Sequence, residues 1–322
     1  MTFRSFLTGA LTLLLAGAAL ADNIFDGSGP RVFPSQHING FRTVIAASGE
    51  VADVYHPAPP ARKRSLYTNR FPVVVMLQGA RVDREYYSTF GMHLARYGFV
   101  VVIPNNTSAL GPNFTEGIVM QEALDQMRTE NGDPDSPVYG LVDGSKLGVS
   151  GHSFGGAAAL YTITGICGFP FCDPASGFTR PPELKAAALV GTNARQLDID
   201  STGIPVAITT GTEDSGYADA QYTYSLLETP KALITVHGAN HFGMTDIDEP
   251  PGANTDRGEA EQVVPQAISA HRYARWSGLF LRAHIYGDSR AWRKIYRQEP
   301  NEAGVSIQSQ FKADNGNRAR QR

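Results

Sequence analysis

The sequence has few cysteines, no dense basic cluster and, beyond its first residues, no long apolar run. It contains two cysteines, Cys167 and Cys172, and no histidine lies near them, which excludes a recognisable cysteine–histidine zinc site. Its 28 basic and 31 acidic residues are mixed along the chain, so nothing favours nucleic-acid binding. No stretch after Ala21 approaches the ~20 apolar residues of a membrane-spanning helix, so we expect no stable membrane span.

The N-terminal residues predict a secretory signal peptide. Met1-Thr2-Phe3-Arg4 carries a positive charge and precedes a mostly apolar run over residues 6–20. The run closes with Ala19-Leu20-Ala21, a small-residue cleavage site before Asp22. We expect residues 1–21 to be removed and the mature protein to be secreted or periplasmic. An uncleaved anchor is the alternative.

No Pro/Ser-rich linker divides the rest of the chain, which is 42% hydrophobic and long enough to bury a large core. We therefore predict a single domain over residues 22–314, followed by a flexible polar tail over 315–322. Two smaller domains are the alternative. In an exported chain, Cys167 and Cys172 are expected to form a disulfide that stiffens a local loop.

Apolar segments predict strands that alternate with helices. Such alternation indicates an α/β protein with a doubly wound, mostly parallel sheet and helices on both faces. The predicted strands cover residues 43–46, 50–55, 71–77, 99–104, 146–150, 185–190, 205–210 and 232–236. The predicted helices cover residues 83–97, 116–131, 217–227 and 265–286, and another begins after Ser153.

The motif Gly151-His152-Ser153-Phe154-Gly155 is the most informative feature of the sequence. It follows a short strand and precedes small residues that favour a helix, which is the context of a nucleophile elbow. A serine hydroxyl is a poor nucleophile unless a sharp turn presents it to a base and to backbone donors. We predict that Ser153 is a catalytic nucleophile. An ordinary glycine-rich turn is the alternative.

Two later strands end beside residues that could complete a catalytic triad. In an α/β-hydrolase the acid and then the histidine follow the serine along the chain. Asp214 and His241 come after successive strands in that order, so we predict Asp214 as the acid and His241 as the base. Glu213 and His237 are the competing choices.

Attack of such a serine on an acyl carbon also needs donors for the negative charge that develops on the carbonyl oxygen. One donor is normally the backbone NH of the residue after the nucleophile, and the other comes from a loop after an earlier strand. These positions predict an oxyanion hole formed by Phe154 and Ala80, with Arg81 as the next candidate for the second donor.

These segments resemble the α/β-hydrolase superfamily, and more narrowly its chlorophyllase, dienelactone-hydrolase-like and bacterial polyester-hydrolase branch. The resemblance covers roughly residues 71–246. It rests on Pro72-Val73-Val74-Val75-Met76-Leu77-Gln78-Gly79, on Arg96-Tyr97-Gly98-Phe99, on the serine motif followed by Gly156, and on Gly238-Ala239-Asn240-His241-Phe242. It implies an α/β-hydrolase fold and cleavage of carboxylic esters.

Three positions depart from the patterns of that branch. Phe154 stands where chlorophyllases usually carry a basic residue, and Ala80 stands where polyester hydrolases usually carry an aromatic one. Ser153 replaces the cysteine of dienelactone hydrolases proper. The resemblance therefore leaves the natural ester open.

The spacing of the later strands predicts an open cleft. The segment Gly191 to Gly203 is too short to hold a large cap domain. An uncovered cleft suits a bulky or surface-bound ester. Aromatic and apolar residues near the strand ends are candidates for an acyl pocket: Phe154, Phe169, Phe171, Phe242 and Met244.

The sequence thus predicts an exported serine hydrolase that cleaves small-molecule, lipid-like or polymeric esters through an acyl-enzyme, with no cofactor and no metal. One alternative is a non-catalytic lipid- or polymer-binding relative. Another is a metal-dependent hydrolase that uses acidic residues such as Asp246, Asp248 and Glu249.

Overall fold

The computed structural model describes residues 37–58, 70–193, 203–253, 258–297 and 302–312. The predicted signal peptide and the polar tail lie outside these residues. The strands are β1 (Ile38–Val44), β2 (Val51–Pro57), β3 (Phe71–Leu77), β4 (Val100–Pro104), β5 (Thr107–Ser108), β6 (Gly111–Pro112), β7 (Val142–His152), β8 (Leu184–Val190), β9 (Val206–Gly211), β10 (Lys231–Val236) and β11 (Val305–Gln310). The helices are α1 (Ser88–Ala95), α2 (Val119–Gly132), α3 (Phe154–Ile163), α4 (Tyr217–Leu226), α5 (Gln266–Leu281) and α6 (Ser289–Tyr296).

Nine of the strands in the described part of the chain form one sheet, in the order β1-β2-β4-β3-β7-β8-β9-β10-β11. Within this sheet, neighbouring strands are parallel from β4 through β3, β7, β8 and β9 to β10. Antiparallel strands close both edges, with β1 and β2 at one and β11 at the other. Every residue of β3 is buried, as expected for an apolar strand covered on both faces. The predicted α/β class with a mostly parallel sheet is therefore confirmed.

Helices pack on both faces of the sheet and form two apolar cores. One core joins α2, α3 and α4 to one face, and the other joins α1, α5 and α6 to the opposite face. Helix α1 is preceded by a 3-10 turn at Arg84–Tyr87, and α5 runs into a π-helical turn at Arg282–Tyr286. No helix among the described residues combines the length and the apolar character needed to cross a bilayer.

Most predicted strands and helices are present, with differences at their ends. Strand β3 has the predicted bounds, whereas β1 begins at Ile38 rather than near residue 43. Helix α6 and strand β11 were not predicted. Strand β11 lies at the sheet edge and exposes alternate polar residues, so it lacks the apolar run that marks the central strands.

Candidate active site

Ser153 lies on a sharp turn between β7 and α3. Its backbone has φ 51° and ψ −115°, a conformation that non-glycine residues rarely adopt. The Ser153 NH donates to the carbonyl of Val190 at 2.8 Å, and the Ser153 carbonyl accepts from the NH of Ala157 at 3.1 Å. Neighbouring strand β8 and the first turn of α3 thus hold a strained residue in place, which is typical of functional sites.

The glycines that flank Ser153 allow this turn to pack against the end of β3. A Cβ atom on Gly155 would lie 2.3 Å from the carbonyl oxygen of Leu77, and one on Gly151 would lie 2.8 Å from the carbonyl oxygen of Gly155. Both contacts are shorter than real Cβ atoms tolerate. The motif therefore requires glycine at both positions for steric reasons.

Asp214 and His241 form a buried pair after β9 and β10. His241 Nδ1 lies 3.1 Å from Asp214 Oδ1, and the two residues are 2% and 4% exposed. Burial by itself would raise the pKa of the Asp214 carboxyl, but hydrogen bonds from His241 and from the Gly216 NH outweigh it and hold the pKa below its usual range. Because an ionised carboxylate only accepts hydrogen bonds, Nδ1 of His241 carries the proton and Nε2 is left as the basic nitrogen.

The competing acid and base lie elsewhere. Glu213 accepts a hydrogen bond from the hydroxyl of Thr212, its neighbour in sequence, at 2.9 Å. His237 is exposed, and its Nε2 lies 3.0 Å from the hydroxyl of Ser306 on β11. The structure thus pairs His241 with Asp214, and it pairs His237 with the edge strand.

Ser153 and His241 line the same cleft, which has a volume of about 240 Å³. Both predicted oxyanion donors, Ala80 and Phe154, also line it. The fallback choice of Arg81 is wrong, because its NH donates to the carbonyl of Asn113 at 2.7 Å. The residues that line the cleft are Gly79, Ala80, Val82, His152, Ser153, Phe154, Ala157, Phe171, Gly191, Asn193, His241 and Phe242.

Three of the five pocket candidates are in the cleft, and two are not. Phe154, Phe171 and Phe242 line it. Phe169 is 67% exposed, and Met244 is fully buried in the apolar core that contains α1 and α5. The prediction of a pocket role was wrong for these last two, because position in the sequence does not fix the direction of a side chain.

A buried hydrogen-bond chain joins the loop after β3 to the loop after β10. His152 Nε2 lies 2.9 Å from the carbonyl of His241, so this nitrogen must donate and Nδ1 must accept. The Tyr87 hydroxyl therefore donates to His152 Nδ1 at 2.9 Å and accepts from the Gly79 NH, also at 2.9 Å. Sequence reasoning missed Tyr87. Only the position of His152 inside the serine motif marked that residue as close to the site.

Two residues of the acidic run after His241 accept hydrogen bonds from other parts of the fold. Asp246 accepts from the backbone NH groups of Ser88 and Thr89 at 3.0 and 2.8 Å, at the start of α1. Asp248 accepts from the side-chain amide of Asn240 at 2.9 Å. Asp246 therefore caps a helix.

One acidic side chain, Glu259, lies close to the Asp214–His241 pair. Ligand atoms of these three residues fall within 4.8 Å of one another, so they could in principle hold a cation. Glu259, however, accepts from the NH and the hydroxyl of Ser215 at 3.0 and 2.5 Å. His241 Nδ1 faces Asp214, and the carboxylates of Asp214 and Glu259 both accept hydrogen bonds from within the protein.

The predicted disulfide is present. Cys167 and Cys172 are bonded, with Cα atoms 5.0 Å apart, and the loop they close lies beside the cleft through Phe171.

A sharply turned serine and a histidine line one cleft of an α/β scaffold, and a buried aspartate is hydrogen-bonded to that histidine. Residues 42–250 match the sequence model of the PETase family, described as PET hydrolase-like. The chain belongs to this family, and the predicted resemblance to bacterial polyester hydrolases is confirmed.

The similarity to individual curated proteins is low and covers only part of the chain. The chain is 24% identical to cutinase est1 of Thermobifida alba over 54% of each chain. It is 28% identical to bis(hydroxyethyl) terephthalate hydrolase of Streptomyces coelicolor over 46% of this chain and 47% of that protein. It is 26% identical to chlorophyllase-2 of Arabidopsis thaliana over 32% of this chain and 34% of that protein. The chain spans about half the length, or less, of the curated relatives it matches.

Proposed function

We propose that this protein is a serine hydrolase with an α/β-hydrolase fold, which cleaves carboxylic esters through an acyl-enzyme. The observation that carries this proposal is the shared cleft of Ser153 and His241, with Asp214 hydrogen-bonded behind the histidine. The family membership and the names of the relatives support the same chemistry.

In the proposed mechanism, Ser153 Oγ attacks the ester carbonyl carbon while His241 Nε2 takes the hydroxyl proton. Asp214 holds the imidazole in the tautomer with a proton on Nδ1 and stabilises its charged form. His241 then returns the proton to the alcohol that leaves, and the acyl group remains on Ser153. Water attacks this acyl-enzyme in a second round, with His241 again acting as the base.

The negative charge on the carbonyl oxygen would be held by the backbone NH groups of Phe154 and Ala80. The position of Phe154 supports its role, because it is the first residue of α3 and its NH lies at the positive end of the helix dipole. The exclusion of Arg81, whose NH is already bonded, supports Ala80 as the second donor.

We further propose that residues 22–314 act as one exported domain, secreted or periplasmic, after removal of residues 1–21. The Cys167–Cys172 disulfide supports export, because disulfides persist in oxidising compartments. An accessible cleft without a large cap would admit lipid-like or polymeric esters, and the relatives named for cutinase and terephthalate-ester hydrolysis fit that range.

Hydrolysis of a p-nitrophenyl ester series by the mature protein and by its Ser153→Ala variant tests the proposal. We expect the substitution to lower kcat by about 10⁴-fold or more, as for other serine nucleophiles. Ser145→Ala is the matched control and should keep full activity, because Ser145 is an exposed serine on β7, the strand that leads to Ser153.

The other outcomes are equally informative. Equal activity of the Ser153→Ala and unmodified proteins would mean that the nucleophile is wrongly assigned. Absence of activity from both would favour a non-catalytic ester-binding relative. Loss of activity after chelation would favour a metal-dependent reaction at Asp214, His241 and Glu259.

A further inference from the structure

The loop closed by the Cys167–Cys172 disulfide supplies one wall of the cleft. Phe171, next to the buried Cys172, is the residue of this loop that lines the cleft. Its backbone is held from two sides. The Phe171 carbonyl accepts from the Gly117 NH at 2.9 Å, and the Phe171 NH donates to the Gly168 carbonyl at 3.0 Å. The position of this side chain is therefore set by the loop.

The ring of Phe171 lies between two other aromatic rings. Its centroid is 4.7 Å from that of Phe154 and 4.6 Å from that of Tyr161. The ring of Phe114 makes an edge contact with that of Phe154, with centroids 5.3 Å apart. Phe114, Phe154, Tyr161 and Phe171 thus form one cluster of contacting rings, and two of its members, Phe154 and Phe171, line the cleft.

We infer that Phe171 is a specificity-determining residue, held by the disulfide loop, that limits the size of the ester group bound beside Phe154. This inference rests on the proposed function, in which the Phe154 NH binds the carbonyl oxygen. A group attached to that carbonyl then lies in the part of the cleft that Phe154 and Phe171 line. Because the cleft is small, at about 240 Å³, the ring of Phe171 restricts the space left for that group.

A fixed wall discriminates between substrates better than a mobile one. One methylene group in an apolar pocket changes kcat/KM by about 10- to 200-fold when the pocket does not adapt. The disulfide narrows the conformations open to the loop, so it keeps Phe171 from yielding to a larger group. Phe169 offers a control within the same loop, because it is 67% exposed and does not line the cleft.

The test measures kcat/KM for two ester series, one of increasing acyl length and one of increasing alcohol size. The proteins compared are the full chain, Phe171→Ala, Phe169→Ala and the paired Cys167→Ser and Cys172→Ser variant. We expect Phe171→Ala to change the ratio of long to short esters by about tenfold or more in at least one series. Phe169→Ala should leave the ratio unchanged, and the paired serine variant should shift it in the same direction as Phe171→Ala.

A ratio that stays within twofold in both series for Phe171→Ala would overturn the inference. If the ratio changes for Phe171→Ala but not for the paired serine variant, the role of the disulfide is overturned and the role of Phe171 stands. Thermal unfolding of each variant shows whether it is folded at the assay temperature. If the full chain hydrolyses no ester, the proposed function fails. Calorimetric titration of the same esters into Ser153→Ala, with and without Phe171→Ala, then decides whether Phe171 sets the size preference for binding.

Discussion

The Tyr87 hydroxyl donates a hydrogen bond of 2.9 Å to His152 Nδ1, and the same hydroxyl accepts from the Gly79 NH. This contact links the residue before Ala80 to the residue before Ser153. Through His152 Nε2 it also reaches the carbonyl of His241. The proposed oxyanion loop, nucleophile and base therefore share one buried network.

Replacement of Tyr87 by phenylalanine tests this network. We expect Tyr87→Phe to lower kcat by about 10- to 100-fold with little change in KM, because misplacement of donors and base affects mainly the transition state. Loss of the two hydrogen bonds of the Tyr87 hydroxyl, to the Gly79 NH and to His152 Nδ1, should cost about 1–3 kcal/mol of unfolding free energy each. Tyr86→Phe, the neighbouring tyrosine, is the control. A KM effect without a kcat effect would contradict the positioning role.

Asp214 should matter for activity far more than its neighbour. We expect Asp214→Asn to reduce kcat by about 10⁴-fold, because the amide no longer fixes the tautomer of His241. Glu213→Gln should keep at least half of the activity, since Glu213 is bonded to Thr212 rather than to the histidine. Steady-state kinetics on a short ester distinguish the two, and similar losses would mean that the acid is wrongly assigned.

Substitutions of two glycines should have opposite effects. In Gly155→Ala the new Cβ would lie 2.3 Å from the carbonyl oxygen of Leu77, so we expect loss of the folded state or of all activity. In Gly132→Ala, at the end of α2, the Cβ meets nothing within 4 Å. For Gly132→Ala we expect the free energy of unfolding to increase by about 0.4–1 kcal/mol, because alanine reduces the conformational entropy of the unfolded chain. Urea unfolding measures both, and a well-folded, active Gly155→Ala would contradict the packing argument.

Asp246 should contribute to stability through α1 and not through an ion. We expect Asp246→Ala to lower the free energy of unfolding by about 1–2 kcal/mol, the cost of losing a helix cap. A chelator should leave the melting temperature of the unmodified protein unchanged. Asp248→Ala, which removes the bonds that Asp248 accepts from the Asn240 amide and the Glu249 NH, is the comparison. A drop in melting temperature on chelation, absent in Asp246→Ala, would instead reveal a bound ion.

His284 should make stability depend on pH. Burial lowers the pKa of His284 from 6.5 to about 4 in the folded protein, so the unfolded chain binds the proton first as pH falls. The contribution of His284 to the free energy of unfolding is complete above about pH 6.5. It is lost as pH decreases toward 4, by at most roughly 3 kcal/mol. Denaturant unfolding of His284→Gln across this range should show a flatter profile, whereas the exposed His237→Gln should follow the unmodified protein. Parallel profiles for His284→Gln and the unmodified protein would count against this contribution.

The parts of the fold that could be read from the sequence are those with a local signal. Strand β3 is a run of apolar residues buried on both faces, so its bounds were predictable. Ser153 was recognisable because steric limits fix glycine at positions 151 and 155. Asp214 and His241 could be chosen only by their order after strands. Their contact depends on the parallel sheet that brings the ends of β9 and β10 together.

Other features depend on contacts between distant residues and left no local pattern. Tyr87 meets His152 across 65 positions of sequence, and Asp246 meets Ser88 across 158. The sequence around a single tyrosine or aspartate does not indicate a hydrogen-bond partner so far along the chain. The bond from the NH of Arg81, the second-ranked candidate after Ala80, to the carbonyl of Asn113 in another loop was not predictable for the same reason.

Strand β11 shields the outer side of β10 from contact with other molecules. It pairs with β10 from Val305↔Val236 to Gln310↔Lys231 and covers that strand's free NH and carbonyl groups. Without this pairing, the edge of a long parallel sheet would be a template for strands from other copies of the protein. The polar face of β11 then meets solvent in its place. The last described strand of this chain thus replaces a fully buried, apolar strand at this edge with one that exposes polar side chains, at the opposite edge of the sheet from β1 and β2.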